Sequence, residues 1–334
     1  MLDPSDILEA QAAIKGVADH TPLVPSPFFS DLIGQEFLLK LEICQPIGAF
    51  KLRGALNAVS ALPSETAGVT CCSTGNHGRG VAFAARARGI RAVICMSELV
   101  PKAKVDGIRA LGAEVRIVGK SQDDAQAEAE RLVRDEGLTE ISPFDDPKVI
   151  AGQGTIGAEI MAARPNIDTL FVPLSGGGLA AGIAYASKLS NPNVRVVGIT
   201  MDRGPAMHLS IEAGHPVEVE EFPSLADSLG GGIGLQNRLS FPMCRDLLDG
   251  TILVSEEEIY RAMQALYFED RLVAEGGSVV ALAAALAGKL PKANGPVATI
   301  ITGRNIDMEK HAKIMSGAAM DLGDYHLAGA RYGA

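Results

Sequence analysis

No stretch of the sequence holds the roughly 18 consecutive apolar residues that a membrane-crossing helix needs, so the chain is not expected in a bilayer. No leader peptide is expected either, because Met1 runs straight into Asp3-Pro4-Ser5-Asp6, the signature of a helix start with proline and acids in its first turn. Clustered basic residues are missing: 30 Lys and Arg stand against 40 Asp and Glu, a net charge of -10, which leaves no surface for a phosphate backbone. Nucleic acid is thereby excluded as a partner, and small molecules are expected. None of the five cysteines, Cys44, Cys71, Cys72, Cys95 and Cys244, belongs to a CxxC pair. They read as buried free thiols of a reducing compartment, the cytoplasm. The P-loop pattern G-x-x-x-x-G-K-[ST] is also absent, which disfavours a P-loop nucleotide enzyme.

What is present is core material and turns. The 334 residues are 47% hydrophobic with 37 glycines, the composition of a compact α/β protein. A helix over 5–18 and an extended 21–26 precede a strand at 36–42. Helices and nearly continuous apolar strands then alternate, with strands at 68–72, 91–96, 114–118 and 138–142. A second series follows, with helix 152–164, strand 168–174, helix 178–190, strand 195–200, helices near 256–269 and 276–289, and strand 296–301. Such alternation predicts parallel βαβ units. The simplest architecture is two doubly wound, mostly parallel sheet domains with a ligand cleft between them, beyond the carboxyl ends of strands.

Four stretches stand out. Gly48-Ala49-Phe50-Lys51-Leu52-Arg53-Gly54-Ala55 sets a lysine beside an aromatic residue, and a desolvated lysine of this kind forms Schiff bases with an aldehyde cofactor. A solvated lysine in a first helical turn is the plainer reading. Ser73-Thr74-Gly75-Asn76-His77-Gly78 follows a strand and opens a helix, a setting suited to a carboxylate, although the same residues are ordinary helix caps. Ser175-Gly176-Gly177-Gly178 opens another helix and could close on a phosphate. Here Gly176, Gly178 and Ala181, with Asp202 beyond the next strand, also satisfy a dinucleotide pattern. Finally, Thr302-Gly303-Arg304-Asn305-Ile306-Asp307 places a neutral hydroxyl at a strand end, either to bond a ring nitrogen or to cap the last helix.

In this order and spacing the four stretches, with Ala151-Gly152-Gln153-Gly154-Thr155-Ile156, resemble the fold type II pyridoxal-phosphate enzymes of the threonine dehydratase and serine racemase type, over about residues 5–315. The tryptophan synthase beta-like fold is implied, with residues 1–50 and 147–334 as a large cofactor-binding domain and 51–146 as a small mobile one. Leu225-Ala226-Asp227-Ser228-Leu229-Gly230-Gly231-Gly232-Ile233-Gly234 and the Thr302 stretch are most similar to hydroxyectoine-utilisation dehydratases. The resemblance implies pyridoxal 5'-phosphate on Lys51 with Phe50 against its ring, Asn76 at the ring hydroxyl, Ser175, Gly176, Gly177 and Gly178 on the phosphate, and Thr302 at the pyridine nitrogen. Ser73, Thr74, Gly75, Asn76 and His77 would hold the substrate carboxylate. Thr74 takes the place of a residue that exchanges a proton on the face opposite the lysine, and Glu275 resembles a glutamate near the cofactor. Ala49 stands where relatives often have serine, Ser228 where they have glycine, and Thr200 near the place of a metal-binding glutamate, so no metal is expected. A homodimer without a regulatory extension is implied.

The implied reaction is β-elimination of water from a β-hydroxy amino acid, giving keto acid and ammonia, in hydroxyectoine catabolism. The alternatives are an L-threonine or L-serine dehydratase, a 3-hydroxyaspartate ammonia-lyase, or a serine racemase. Outside that family stand a nicotinamide oxidoreductase, which leaves Lys51 and Asn76 without a task, and a non-catalytic cofactor carrier. Borohydride reduction of the purified protein, followed by peptide mapping, is expected to find a pyridoxyl group on Lys51. Label elsewhere, or none, would remove the cofactor assignment.

Overall fold

The computed structural model of the protein describes residues 2–73, 75–100 and 102–333. In chain order its strands are β1 Leu23–Pro25, β2 Phe37–Leu41, β3 Val69–Cys72, β4 Ala92–Met96, β5 Glu114–Ile117, β6 Thr139–Glu140, β7 Thr169–Pro173, β8 Arg195–Met201, β9 Gly250–Val254, β10 Val297–Ile301, β11 Met320–Leu322 and β12 Tyr325–Leu327. Six form one sheet in the order β1-β2-β10-β7-β8-β9, four form another in the order β5-β4-β3-β6, and β11 pairs with β12. Within the larger sheet β1 alone runs antiparallel. The smaller sheet is parallel throughout.

Side-chain alternation explains the layering. Successive strand residues point to opposite faces, and in the larger sheet both faces are apolar. Phe37, Leu39, Phe171, Val197, Ile199, Val297 and Ile301 enter one core, whereas Leu38, Leu170, Val172, Val196, Ala298 and Ile300 enter the other. A sheet buried on both sides needs helices on both sides, and parallel crossovers supply them. The smaller sheet repeats the scheme, with Val69, Cys71, Ile94 and Met96 on one face and Val93 and Cys95 against Ala125, Ala129 and Leu132 of helix Gln122–Glu136 on the other.

Some boundaries differ from the sequence reading, for local reasons. The helix expected from 152 begins at Pro147, because Asp146 caps it by accepting from the N–H groups of Lys148 and Val149. The expected helix 276–289 is a 3-10 turn, Gly276–Ser278, followed by helix Val280–Leu286. The first helix ends at Ile14 rather than 18. Strand β9 and helices Ala206–Ala213 and Ser240–Leu247 were outside the expected series.

Two features position the site. Strand β10 comes last in the larger sheet yet lies between β2 and β7, so that all three deliver their carboxyl ends to one crevice. Helices Pro147–Ala163 and Gly178–Ser190 cross in direct backbone contact, since a Cβ at Gly182 would fall 2.3 Å from the carbonyl oxygen of Ile150. The second helix is thus fixed at its start.

Helix Lys51–Ser60, within the 51–146 range, packs on both Asn76–Arg88 and Pro147–Ala163. Its first turn is held by Arg53, which is fully buried. The guanidinium donates from Nε and Nη2 to Glu42 at 2.9 and 2.8 Å, and from Nη1 and Nη2 to Glu159 at 2.6 and 2.9 Å. Thr155 Oγ1 and the Asp19 carbonyl accept the remaining bonds. Lys40, also buried, donates to Glu159 at 2.5 Å and completes a neutral quartet. Such a cluster is costly to break because removing one member strands the others. Arg53→Met is expected to lower unfolding free energy by about 3–5 kcal/mol, read from urea denaturation. A loss within the range of a surface substitution would show that the quartet does not anchor the helix.

Candidate active site

The crevice holds a cavity of about 370 Å³, and Lys51 lines it together with Phe50, Ser73, Asn76, Ser175, Glu275 and Thr302. Gly75, His77, Gly176, Gly177 and Gly178 line it as well. Thr74 lies outside the described residues. Four stretches far apart in sequence therefore meet at one place.

Lys51 is the first residue of its helix. The turn before it is joined to the end of β10: Phe50 N–H donates to the Thr302 carbonyl at 2.9 Å, Arg304 N–H to the Gly48 carbonyl at 2.9 Å, and Ala49 bridges Gly303. The Lys51 ammonium lies 5.4 Å from the Phe50 ring centroid and donates to the Pro143 carbonyl at 2.7 Å. Burial pushes its pKa down to about 8, with the Cys71 thiol opposing weakly. At neutral pH about a tenth of such a lysine is a free amine, against a few parts in ten thousand for an ordinary one. That difference suits Schiff-base chemistry.

The loop after β3 opens helix Asn76–Arg88, whose N-terminal N–H groups receive no side-chain cap from the described residues. Ser73 Oγ accepts from Gly75 N–H at 3.4 Å. The Asn76 amide is held from both ends, donating to Glu275 Oε1 at 2.8 Å and accepting from Asn305 at 2.6 Å. His77 is buried, and desolvation drives its pKa down to about 3, so the ring is neutral. Its Nε2–H donates to the Ile141 carbonyl at 2.7 Å, leaving Nδ1 as an acceptor with no partner among the described residues.

The glycine loop is built for close approach. Gly177 adopts φ 88°, and helix Gly178–Ser190 begins without a side-chain cap, presenting free N–H groups. A Cβ at Gly176 would lie 2.2 Å from the Phe144 ring, and one at Gly178 would lie 2.8 Å from the Phe144 backbone. Ser240 Oγ donates to the Gly176 carbonyl at 2.7 Å, and Asp145 accepts the N–H groups of Arg238, Leu239 and Ser240. Pro143 and Phe144 thus form a wall that sequence reasoning missed, with Asp145 anchoring the segment behind it, and no motif marks it.

Thr302 directly follows β10, and the next helix is capped by Asp307 instead. Its hydroxyl is 2.9 Å from Ser278 Oγ, which also lies 2.9 Å from the Gly303 carbonyl. Ser278 has one proton: while it donates to the Gly303 carbonyl it accepts from Thr302, and only when it turns that proton to Thr302 is the Thr302 proton free to point elsewhere. Ser278, too, went unflagged by the sequence. Glu275 is buried, and desolvation, then the charge of Asp227, raises its pKa to about 7 against hydrogen bonds from Asn76, Ser228 and Asn305. Asp202 and Arg203, by contrast, line a different pocket.

A lysine with a depressed pKa, an uncapped glycine turn at a helix start and a neutral hydroxyl at a strand end fit pyridoxal phosphate: Lys51 for its aldehyde, Ser175 to Gly178 for its phosphate, Thr302 for its ring nitrogen. Fold and site define a two-sheet lyase-type scaffold for that cofactor. The family profile described as pyridoxal-phosphate dependent enzyme matches residues 14–303, and the chain belongs to this family. A Sinorhizobium fredii protein with a provisional threonine dehydratase name is 52% identical over 318 residues, 95% of this chain and 96% of that one. The catabolic L-threonine dehydratase of Escherichia coli is 39% identical, covering 92% of this chain and 94% of its own. The structure of maize serine racemase superposes with a TM-score of 0.88 at 32% identity, over 94% of this chain and 97% of that one. The chain is a threonine-dehydratase-like member of a pyridoxal-phosphate family. No helix among the described residues is long and apolar enough to cross a membrane.

Glu275 yields a pH-dependent prediction. Its folded pKa of about 7 lies above the ordinary 4.5, so the folded state favours the protonated carboxyl. Its contribution to stability is full below pH 4.5 and is lost as pH rises through about 7. Glu275→Gln, which can keep the Asn76 bond, is expected to stabilise cofactor-free protein above that range by up to about 3 kcal/mol and to change little below it. Urea unfolding at both ends of the window measures this, and an equal effect at both would refute it.

Proposed function

We propose that the enzyme eliminates water from a β-hydroxy amino acid, releasing keto acid and ammonia, and that it prefers a hydroxyectoine-derived hydroxy diamino acid to threonine. The observation that carries the substrate reading is that Asp227 and Ser228 stand in the cavity wall. Ser228 Oγ sits 2.4 Å from where a Cβ at Gly277 would be, which seats the Asp227-Ser228 turn directly on the strip beside Glu275. An acid in that wall suits an amine or amide N–H on a longer side chain, whereas threonine offers it only a methyl group. Gly230 lines the same cavity, and Gly231 adopts φ 96°, a backbone freedom that would suit a wall reshaped for a longer, polar side chain.

The roles proposed for the residues follow from their chemistry. Pyridoxal phosphate supplies the electron sink when bound. The Lys51 amine, once free, takes the proton from Cα, and its depressed pKa leaves enough of it neutral to do so. The N–H groups at the start of helix Asn76–Arg88, with Ser73, Gly75, His77 and Thr74, hold the substrate carboxylate. Asn76 reaches the ring hydroxyl with its second amide hydrogen, Phe50 covers the ring, and the Ser175 to Gly178 backbone holds the phosphate. Thr302 meets the ring nitrogen with a hydroxyl that cannot keep it protonated, which favours prompt loss of a β leaving group over transamination. Residues 51–146 are proposed as the smaller unit, 1–50 with 147–334 as the larger, in a cytoplasmic homodimer.

The relatives named for threonine give a second reading some weight. The deciding measurement is kcat/KM for L-threonine, L-serine, threo-3-hydroxyaspartate and the hydroxy diamino acid side by side, with keto acid and ammonia counted as products. The diamino acid is expected to lead, and Asp227→Asn to erase its lead. Threonine ahead by more than about tenfold, roughly 1.4 kcal/mol of transition-state preference, would establish a plain threonine dehydratase.

A further inference from the structure

The Asn76 amide is oriented by a chain of hydrogen bonds that begins at a backbone carbonyl. Asn305 Nδ2 donates to the Ile47 carbonyl at 2.9 Å. A carbonyl oxygen only accepts, so this contact fixes the Asn305 amide with its nitrogen toward Ile47. The other hydrogen of that nitrogen goes to Asn76 Oδ1 at 2.6 Å. Asn76 must therefore face Asn305 with its oxygen, and its nitrogen points the other way, donating one hydrogen to Glu275 Oε1 at 2.8 Å. The second hydrogen of Asn76 Nδ2 has no acceptor among the described residues, and Asn76 lines the catalytic cavity.

Both ends of the chain are held. Ile47 and Gly48 belong to the turn before Lys51, and Arg304 N–H returns to the Gly48 carbonyl at 2.9 Å. Gly48 adopts φ 73°, and a Cβ there would lie 3.1 Å from Asn305 Oδ1, so the oxygen end of the Asn305 amide rests on bare backbone. At the other end, a Cβ on Gly303 would fall 2.6 Å from Glu275 Oε1 and 3.1 Å from Asn76 Nδ2. Glu275 N–H donates to the Gly303 carbonyl at 3.0 Å, and Asn305 N–H donates to the Glu275 side chain, which keeps the last acceptor in place. The turn before Lys51, the loop after β3 and the segment after β10 thus agree on one orientation of one amide. A mere tie between loops would be served by either orientation.

We propose that Asn305 is a positioning residue that turns the nitrogen of the Asn76 amide, and not its oxygen, toward the ring oxygen of bound pyridoxal phosphate. The inference rests on Asn76 meeting that ring oxygen, and it supplies the cause of the meeting. A donor there favours the ring oxygen as a phenolate, whereas an acceptor favours it as a neutral hydroxyl. The two forms of a pyridoxal Schiff base differ in colour, the first absorbing in the visible and the second in the near ultraviolet, so the orientation is read without any turnover. Asn305→Asp sets an acceptor against Asn76 Oδ1. The Asn76 amide then turns its nitrogen to the new carboxylate and its oxygen to the cavity.

The test compares absorbance spectra of holoenzyme variants at equal cofactor content and one pH. Wild-type holoenzyme is first reduced with borohydride and mapped, and absence of label on Lys51 removes the cofactor assignment and the inference with it. Asn76→Ala is expected to lower the ratio of visible to near-ultraviolet absorbance at least about fivefold, the effect of one lost hydrogen bond. An unchanged ratio would show that Asn76 does not meet the ring oxygen and would overturn both that role and the inference. Asn305→Asp is expected to lower the ratio about as much in otherwise wild-type protein and to add nothing in the Asn76→Ala background. If Asn305→Asp does not fold, Asn305→Ala, which only removes the donor, is expected to shift the ratio the same way by at least about twofold. A shift with Asn76→Ala but none with the Asn305 variants, or an Asn305 effect of equal size in both backgrounds, would overturn the inference alone.

Discussion

The placement of Lys51 depends on a guanidinium two residues away that faces the other direction. Arg53 is bound by Glu42 at the end of β2 and by Glu159 on helix Pro147–Ala163, so the first turn of the lysine helix is pinned to two elements of the larger sheet. The same turn is tied to β10 through Phe50 and Gly48. The lysine is therefore aimed by bonds made on the far side of its helix. A charged quartet in the core is an expensive way to fasten a helix compared with apolar packing, but it fixes rotation about the helix axis, which packing leaves looser.

Desolvation runs the rest of the site in one direction. It lowers Lys51 to about 8 and His77 to about 3, and it lifts Glu275 to about 7, so each of the three moves toward its neutral form. With these three drawn toward neutrality, backbone N–H groups gain weight as partners for an anion. Both loops proposed to meet anions are helix starts with no side-chain cap among the described residues, at Asn76 and Gly178. The partial charges there are fixed and do not titrate, so they would add to the attraction of an anion at any pH, beside the Arg79 and Lys104 side chains that also line the cavity.

Much of this was legible in the chain. Strand periodicity gave the two parallel sheets because both faces of each strand are buried, and a continuous apolar run records that directly, as in Phe37 to Leu41. The loops were legible because glycine and small hydroxyl residues at a strand-to-helix junction have few other uses. Pro143, Phe144 and Ser278 were not legible, since their contributions are a carbonyl, a ring face and a hydroxyl relay that any core could contain. Asp202 was readable as an acid beyond a strand, in a dinucleotide pattern, but not as part of another pocket, because a turn after β8 can face either side of the sheet. Edge strand β9 escaped notice for a related reason: its Thr251, Ile252 and Leu253 are only half-buried, unlike the fully buried residues of the central strands.

The position of β10 has a consequence for biogenesis. Residues 297–301 are the last of the larger sheet to leave the ribosome, yet they separate β2 from β7, so that sheet remains in two unjoined pieces until nearly the whole chain is available. Until then two inner strands display unpaired edges, the condition in which nascent chains stick to one another or recruit a chaperone. Thr302 and Gly303 arrive with that strand, and Gly303 accepts the N–H of Glu275 while Thr302 accepts that of Phe50. The closing of the sheet and the completion of the proposed cofactor cavity thus fall together during synthesis, and a half-made chain would lack the pocket in which to trap a reactive aldehyde.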